Sequence, residues 1–383
     1  MSLQLNGTDG VTYNDGTLQS SAPVGRNRII NGNMTISQRG TAFAGATNGT
    51  YTLDRFSVTQ VGAGVATINQ ASDSPTAAEA GIYNTKCLEV DVTTADTSVA
   101  ASDLYAIVQE IEGNNIIDAG FGQAGTRNVT VSFWVKTNKT GIYCLGLTNA
   151  NWGALERDYT AEYTVSSADT WEKKTITIPV DTTGTWGTGT ASGLSVRFCL
   201  YSGSNFHITK DTWVAGSNVY APSTSNQVNL FDNTSNYFKV SLIQLETGTT
   251  ATDFENLQYT TQLQLCQRYF EKSASQNVSI TTANTTSWII CVYSTTVSNG
   301  QNYANCKYSV TKRATPTVSI YPYGTPTNLG RVSTDTGGDF GANSGFVNTG
   351  YDQGFSVSNN SGGTLTTGAQ KQFIGNWYAE AEL

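Results

Sequence analysis

With 383 residues the chain has room for more than one domain, each able to bury a core of its own. A net charge of -8 sets it against nucleic acid, whose phosphates recruit Lys and Arg, and the same sign disfavours anionic membranes. Charged residues are only 13%, but 38% hydrophobic and 10% aromatic residues exclude a disordered chain, which leaves a loop-rich β protein.

No run approaches the ~18 apolar residues of a membrane span, so no membrane insertion is expected. The opening MSLQLNGTDG has neither the basic start nor the apolar run of a signal peptide, which implies use without that export route or a leader already removed. Cysteines stand at 87, 144, 199, 266, 291 and 306 with no CxxC or zinc spacing. Cys144 in GIYCLGL and Cys199 in VRFCLY have apolar neighbours, so they are expected as small buried hydrophobes of a protein folded in a reducing cytosol.

Residues 1–25 hold two short β-like pieces, LQL and VTY, punctuated by Asn-Gly, Asp-Gly and Asn-Asp-Gly hairpin signals. With so few apolar side chains the segment cannot form a core, and it is expected to order only on another copy or a partner, as an attachment arm. Residues 26–40 lead into the alternating strand YTLDRFSVTQ. Residues 129–179 carry the clearest pattern: VTVSFWV, YTAEYTV and KKTITIP alternate apolar and polar, as antiparallel strands with one face on a core do. Pro179 cannot donate to a ladder and should end its strand or sit on an edge. Further strands are expected at LSVRFCLYS, SNQVNLF and SNYFKVSLIQLE, giving about eight to ten before residue 247, a number that favours a jelly-roll β-sandwich over a repeat-based β-helix.

The stretch 259–272, YTTQLQLCQRYFEK, is the one predicted helix, with Leu263, Cys266, Gln267 and Phe270 on one face. Beyond it, VSITTA, SWIICVYST, KYSVTK, TVSIYPY and QFIGNWYAEAEL predict a smaller second β-sandwich. The expected organisation is therefore all-β: an arm (1–25), a jelly-roll sandwich (26–258), a connecting helix (259–273) and a C-terminal β domain (274–383).

The segments NRIINGNMTISQRGT and YTLDRF, then VSFWVKTNKTGIYCLGL, DTWEKKTITIPVDTTGTW, TSNQVNL, FKVSLIQLETGTTATDFE and LQLCQRYFEKS, resemble in fixed order a group of bacteriophage tail-fibre-like, receptor-binding proteins. The resemblance spans roughly residues 26–273. Before LCQRYFEKS this chain reads TDFENLQYTTQLQ, without the Pro, His and Arg usual in the group. The resemblance implies a virion fibre protein acting as a homotrimer, made in the host cytoplasm, joined through its N-terminal arm to phage tail or adaptor proteins. It also implies attachment to host surface polysaccharide or lipopolysaccharide, and it brings no agreed set of functional residues.

Enzyme motifs are missing. The single histidine, His207 in SNFHITK, has no GxSxG beside it and reads as structural; HExxH, P-loop and GxGxxG patterns are absent. Acid pairs remain, since glycan cleavage uses two carboxylates: Glu110 with Glu112 and Glu156 with Asp158 share strand faces, a spacing equally common on solvated faces. Asp54 reads as an ion-pair partner of Arg55 or a turn acid. No cofactor or metal is expected, although Asp-rich turns permit a structural calcium ion.

The ligand-binding candidates are aromatics set among polar loop residues. Trp152, Trp186 and Trp213 have the flat apolar surface that covers a sugar ring while Asn, Asp and Gln bond its hydroxyls, or they cap the sandwich core. Tyr351 and Phe355, in the Gly/Ser/Asn-rich stretch 340–368, are candidates in the second domain. The reading is a non-enzymatic attachment protein; the alternatives are a virion decoration protein without a receptor, a glycan depolymerase and a free-standing carbohydrate-binding module.

Overall fold

The computed structural model describes residues 25–149, 155–216, 222–276, 302–322, 329, 333–334, 346–359 and 373–383, together with three short strands before them. Those three, β1 (Gln4–Asn6), β2 (Gly10–Thr12) and β3 (Leu18–Gln19), form an antiparallel meander. Strands β1 and β2 overlap the predicted LQL and VTY pieces, each displaced by one residue.

Twelve strands follow: β4 (Ala42–Phe43), β5 (Ser57–Val61), β6 (Val65–Ala71), β7 (Cys87–Thr94), β8 (Leu104–Glu112), β9 (Asn128–Thr137), β10 (Gly141–Thr148), β11 (Arg157–Val165), β12 (Glu172–Pro179), β13 (Ser192–Ser202), β14 (Val214–Ala215) and β15 (Tyr237–Thr247), with one turn of helix, α1 (Ala77–Ala80), after β6. They build two six-stranded sheets, β14-β11-β10-β13-β8-β5 and β12-β9-β15-β7-β6-β4. Most connections cross from one sheet to the other, with hairpins β6–β7 and β10–β11 staying within a sheet, so the chain is an all-β, jelly-roll-type sandwich.

Strand β9 illustrates why. Val129, Val131, Phe133 and Val135 are fully buried, while Asn128, Trp134 and Lys136 on the other face are only partly buried, Thr130 and Ser132 of that face being covered as well. Phe133 meets Tyr163 and Phe198 of the opposite sheet edge-on, both at 5.0 Å between ring centres. Burying each such side chain contributes about 1.5–3 kcal/mol, so the alternation itself fixes which face turns inward. Pro179 ends β12, and β12 is an edge strand, so its missing N–H costs no ladder bond.

The opposite sheet departs from simple alternation. Along β13 residues 193–201 are all buried, and on the outward face Cys199 joins Leu104, Ala106, Val108 and Cys144 with Phe206 in a second apolar cluster. Cys144 and Cys199 are cross-strand neighbours and both are free, as are the other described cysteines, all buried. Cys291 lies outside the described residues. SNQVNLF, predicted as a strand, is instead an irregular run. Its Val228 N–H bonds the Ile142 carbonyl, and Asn229 caps a short 3-10 turn through the N–H of Phe231.

The predicted helix is real but shorter. Helix α2 spans Tyr259–Gln267, burying Gln262, Cys266 and Gln267 and leaving Leu263 only half-buried. Phe270, predicted on its apolar face, belongs to β16 (Phe270–Lys272), whose backbone pairs with the C-terminal strand β22. That C-terminal part contains β17 (Asn302–Lys307), β18 (Thr317–Pro322), β19 (Ser333–Thr334), β20 (Phe346–Gly350), β21 (Gly354–Asn359) and β22 (Phe373–Glu380). They form a sheet β16-β22-β18, with β19 also on β22, and a sheet β17-β21-β20. Phe355 of β21 packs on Trp377 of β22 at 5.3 Å and on Tyr308 at 5.7 Å, joining the two sheets through a small aromatic core.

The polar residues of NRIINGNMTISQRG, YTLDRF and LCQRYFEKS converge between the sandwich and this C-terminal part. Asn31 sits in the left-handed region (φ 62°) and its amide holds the Ile36 N–H, the Ile36 carbonyl and the Asp54 carbonyl. Gly32 is required beside it: a Cβ there would lie 2.1 Å from the Ile243 carbonyl oxygen, at a bulge of β15. The expected Asp54–Arg55 pair does not form. Asp54 accepts from the Gln38 N–H and side-chain amide, each at 2.6 Å, whereas Arg55 (φ 73°) turns its guanidinium to Glu382 and the Glu110 carbonyl, across the face of Tyr269 at 3.6 Å. Arg39 bonds Glu380 and Glu382 above the ring of Phe270. Glu112 takes two bonds from Arg268 and one from Tyr269, and the buried Lys312 ammonium reaches Glu271. Opposite charges share the interior here because each is paired and hydrogen-bonded.

Candidate functional site

Two of the predicted tryptophans meet at one corner of the sandwich. Trp213 immediately precedes β14, whose two residues pair with the start of β11 at the sheet edge, and Trp186 lies in the loop that leaves β12. Their rings are 5.4 Å apart and nearly perpendicular, at 86°. Phe121 stacks on Trp186 at 4.3 Å and meets Trp213 at 5.9 Å, and Tyr159 of β11 packs on Trp213 at 5.2 Å. Both indoles are half-buried against the main core.

The polar loops fix these rings. The Trp213 indole N–H donates to the Pro179 carbonyl at 2.7 Å and the Trp186 indole N–H to the Thr183 carbonyl at 2.9 Å. Asp181 shapes that turn by accepting from the Thr183 N–H and hydroxyl, and it is held in turn by Arg157. The Asn149 side chain donates to the carbonyls of Leu155 and Thr185. Asn149 and the exposed Leu155 flank the segment carrying Trp152, which lies outside the described residues. The corner thus joins four loops around a rigid aromatic cluster with amide, hydroxyl and carboxylate neighbours.

Tyr351 and Phe355 are also near each other, on a cleft of about 590 Å³ beside the β20–β21 turn. Tyr351 is 64% exposed and its N–H closes the turn onto the Gly354 carbonyl. Phe355 is 3% exposed, with its ring in the small aromatic core, so Tyr351 supplies most of the apolar surface there. Asn305, Asp352, Gln353 and Ser356 add polar groups around it.

Glu110 is held by Arg197 and Ser192, Glu112 by Arg268 and Tyr269, and Glu156 and Asp158 are fully buried. His207 is half-buried near the Ser202 carbonyl. Among the described residues no three of His, Cys, Asp and Glu gather to hold a metal ion, and no helix is long and apolar enough to cross a membrane. Sequence reasoning missed Phe121 and Tyr159 as partners of the tryptophans; the Gly120–Phe121–Gly122 triplet is the signal available for the first.

No protein-family model matches the chain, and no curated protein does. Among solved structures it is similar to the enzymatically active domain of tailspike protein 4 of bacteriophage CBA120 (10% identity over 58% of this chain and 22% of that one, TM-score 0.30). It is similar also to a family 11 carbohydrate-binding module from Clostridium thermocellum in complex with a mixed-linked tetrasaccharide (12%, 54% and 96%, 0.27). A third is a putative sugar binding protein from Bacteroides thetaiotaomicron (8%, 58% and 100%, 0.32). The chain therefore spans about a fifth of the tailspike structure, and at these scores none of the likenesses bears on what it binds.

Proposed function

We propose that this chain is a non-enzymatic tail-fibre or receptor-binding protein of a bacteriophage, which attaches the virion to polysaccharide or lipopolysaccharide on the host surface. The observation that carries this reading is the aromatic corner. Two indoles are braced by backbone-accepted N–H bonds among Asn, Asp, Thr and Gly, a composition suited to covering a sugar ring and bonding its hydroxyls. The ordered motifs of residues 26–273 support the phage assignment. The pairing of Glu110 and Glu112 with arginines supports a binding role, since a glycosidase needs one acid free to give up its proton.

In this reading the N-terminal arm joins the tail and three copies assemble. Light scattering on the purified chain then gives three times 40.9 kDa, and a monomer counts against the fibre assembly. Labelled protein mixed with host bacteria should bind intact cells and fail to bind cells stripped of surface polysaccharide. Failure to bind any cell favours a decoration protein, and release of oligosaccharide favours a depolymerase.

A further inference from the structure

A second cleft, of about 620 Å³, opens where the motif segment 35–42, the end of β6, helix α2 and strand β16 meet. Its lining includes Gln38, Arg39, Gln70, Tyr259, Lys272 and Gln276, and no described residue lining it is an Asp or Glu. Three residues of that lining each carry a buried side-chain polar atom without a hydrogen-bond partner among the described residues: Nη1 of Arg39, Oε1 of Gln38 and Oε1 of Gln276. The first is a charged donor, and the other two are acceptors. A buried polar atom left unmatched costs about 1–3 kcal/mol, so such a set in one cleft is a demand for a particular occupant.

An occupant that answers both kinds of atom carries an anionic acceptor and hydroxyl donors on one small frame. Arg39 is braced from behind by Glu380 and Glu382 and by the Phe270 ring, which fixes its guanidinium without filling Nη1. Lys272, 6% exposed, adds a second cation whose ammonium also donates to the Gln276 carbonyl at 3.2 Å; burial lowers it to about 8, which leaves it charged at neutral pH. The Asp54 carboxylate acts on Lys272 through space but is itself engaged by Gln38. Tyr259, 54% exposed at the start of α2, offers a ring face and a hydroxyl at the rim.

We propose that this cleft binds a sugar acid, its carboxylate on Arg39 and Lys272 and its hydroxyls on the Gln38 and Gln276 amide oxygens. Charge-assisted bonds to a carboxylate are the stronger kind, and the neutral oxygens select a hydroxylated body over a bare anion. The site is separate from the aromatic corner and stands without it.

The test titrates the full-length chain with glucuronate, glucose and inorganic phosphate by calorimetry and ligand-observed NMR. The expected result is saturable glucuronate binding in the millimolar range or tighter, with glucose and phosphate at least tenfold weaker. Lys272→Met should weaken glucuronate at least tenfold. Tyr259→Ala, at an exposed position that leaves the fold intact, should weaken it severalfold if the first variant does not fold. Trp213→Ala should leave it unchanged, which separates this site from the corner. Absence of glucuronate binding, equal binding of glucose or phosphate, or binding unaltered in Tyr259→Ala would overturn the proposal.

Discussion

Replacing Glu382 by Gln should be among the most damaging single-atom changes in the chain. Its carboxylate is 5% exposed and is shared by Arg39 (11%) and Arg55 (1%). Breaking a buried pair by removing one partner costs about 3–5 kcal/mol, because the remaining charge stays buried. Gln keeps the volume and one acceptor, and Glu380 still serves Arg39 at 2.9 Å, so the burden falls on Arg55 and the lower end, about 3 kcal/mol, applies. Urea unfolding followed by tryptophan fluorescence reads it as a lower midpoint. Arg55→Met in the same background should recover a large part, since it removes the stranded charge, and a double-mutant cycle measures the coupling. A loss under about 1 kcal/mol, or two substitutions whose effects simply add, would refute the claim that this ion cluster ties the sandwich to the C-terminal strands.

Three further outcomes follow from the buried groups. Burial works against the Glu112 and Asp73 carboxylates, but bonds from Arg268 and Tyr269 to the first, and from Lys239, Trp171 and Lys136 to the second, hold both below their ordinary values. Their stabilisation is complete above the unfolded carboxylate range and is lost as pH falls through the lowered values, so urea midpoints should drop below about pH 4, and less steeply in Glu112→Gln. Lys272 moves the other way: burial lowers it to about 8, the unfolded chain binds the extra proton between there and the ordinary lysine value, and its contribution should rise with pH across that window. Lys272→Met should flatten the rise. Burial pushes the thiols of Cys87 and Cys306 up to about 12 and raises those of Cys144, Cys199 and Cys266, so the described thiols should react with a disulfide reagent only on unfolding. Fast labelling of any of them in the native protein would contradict that burial.

What the sequence made legible was the part governed by local period. β9, β11 and β12 alternate because one face meets a core, and the alternation was visible without knowing which strand pairs with which. Long-range partners were not visible. The helical pattern runs on to residue 272 because nothing local reveals that Phe270–Lys272 pairs with Tyr378–Glu380, more than a hundred residues on. SNQVNLF looked like a strand because Val and Leu alternate with polar residues, yet its backbone is spent on single bonds to Ile142 and a 3-10 turn. Asp54 and Arg55 looked paired because they are neighbours; their side chains part toward Gln38 and Glu382. Arg39, Arg55 and Arg268 sat in the motif segments without a visible reason. Their reason is Glu112, Glu380 and Glu382, which pair with them across the joint. The tryptophans stood out by their polar settings, and the contacts with Phe121 and Tyr159 that make them rigid did not.

The central claim, that the aromatic corner holds host surface glycan, is tested most directly by binding isotherms on purified surface polysaccharide for the native chain and for Trp186→Ala and Trp213→Ala. Base-line stability is measured alongside, since a half-buried Trp truncation costs up to about 3 kcal/mol. The account predicts saturable binding that each variant weakens at least tenfold while remaining folded. Undiminished binding by both folded variants, or no binding by the native chain to any polysaccharide of a host it attaches to, would contradict it.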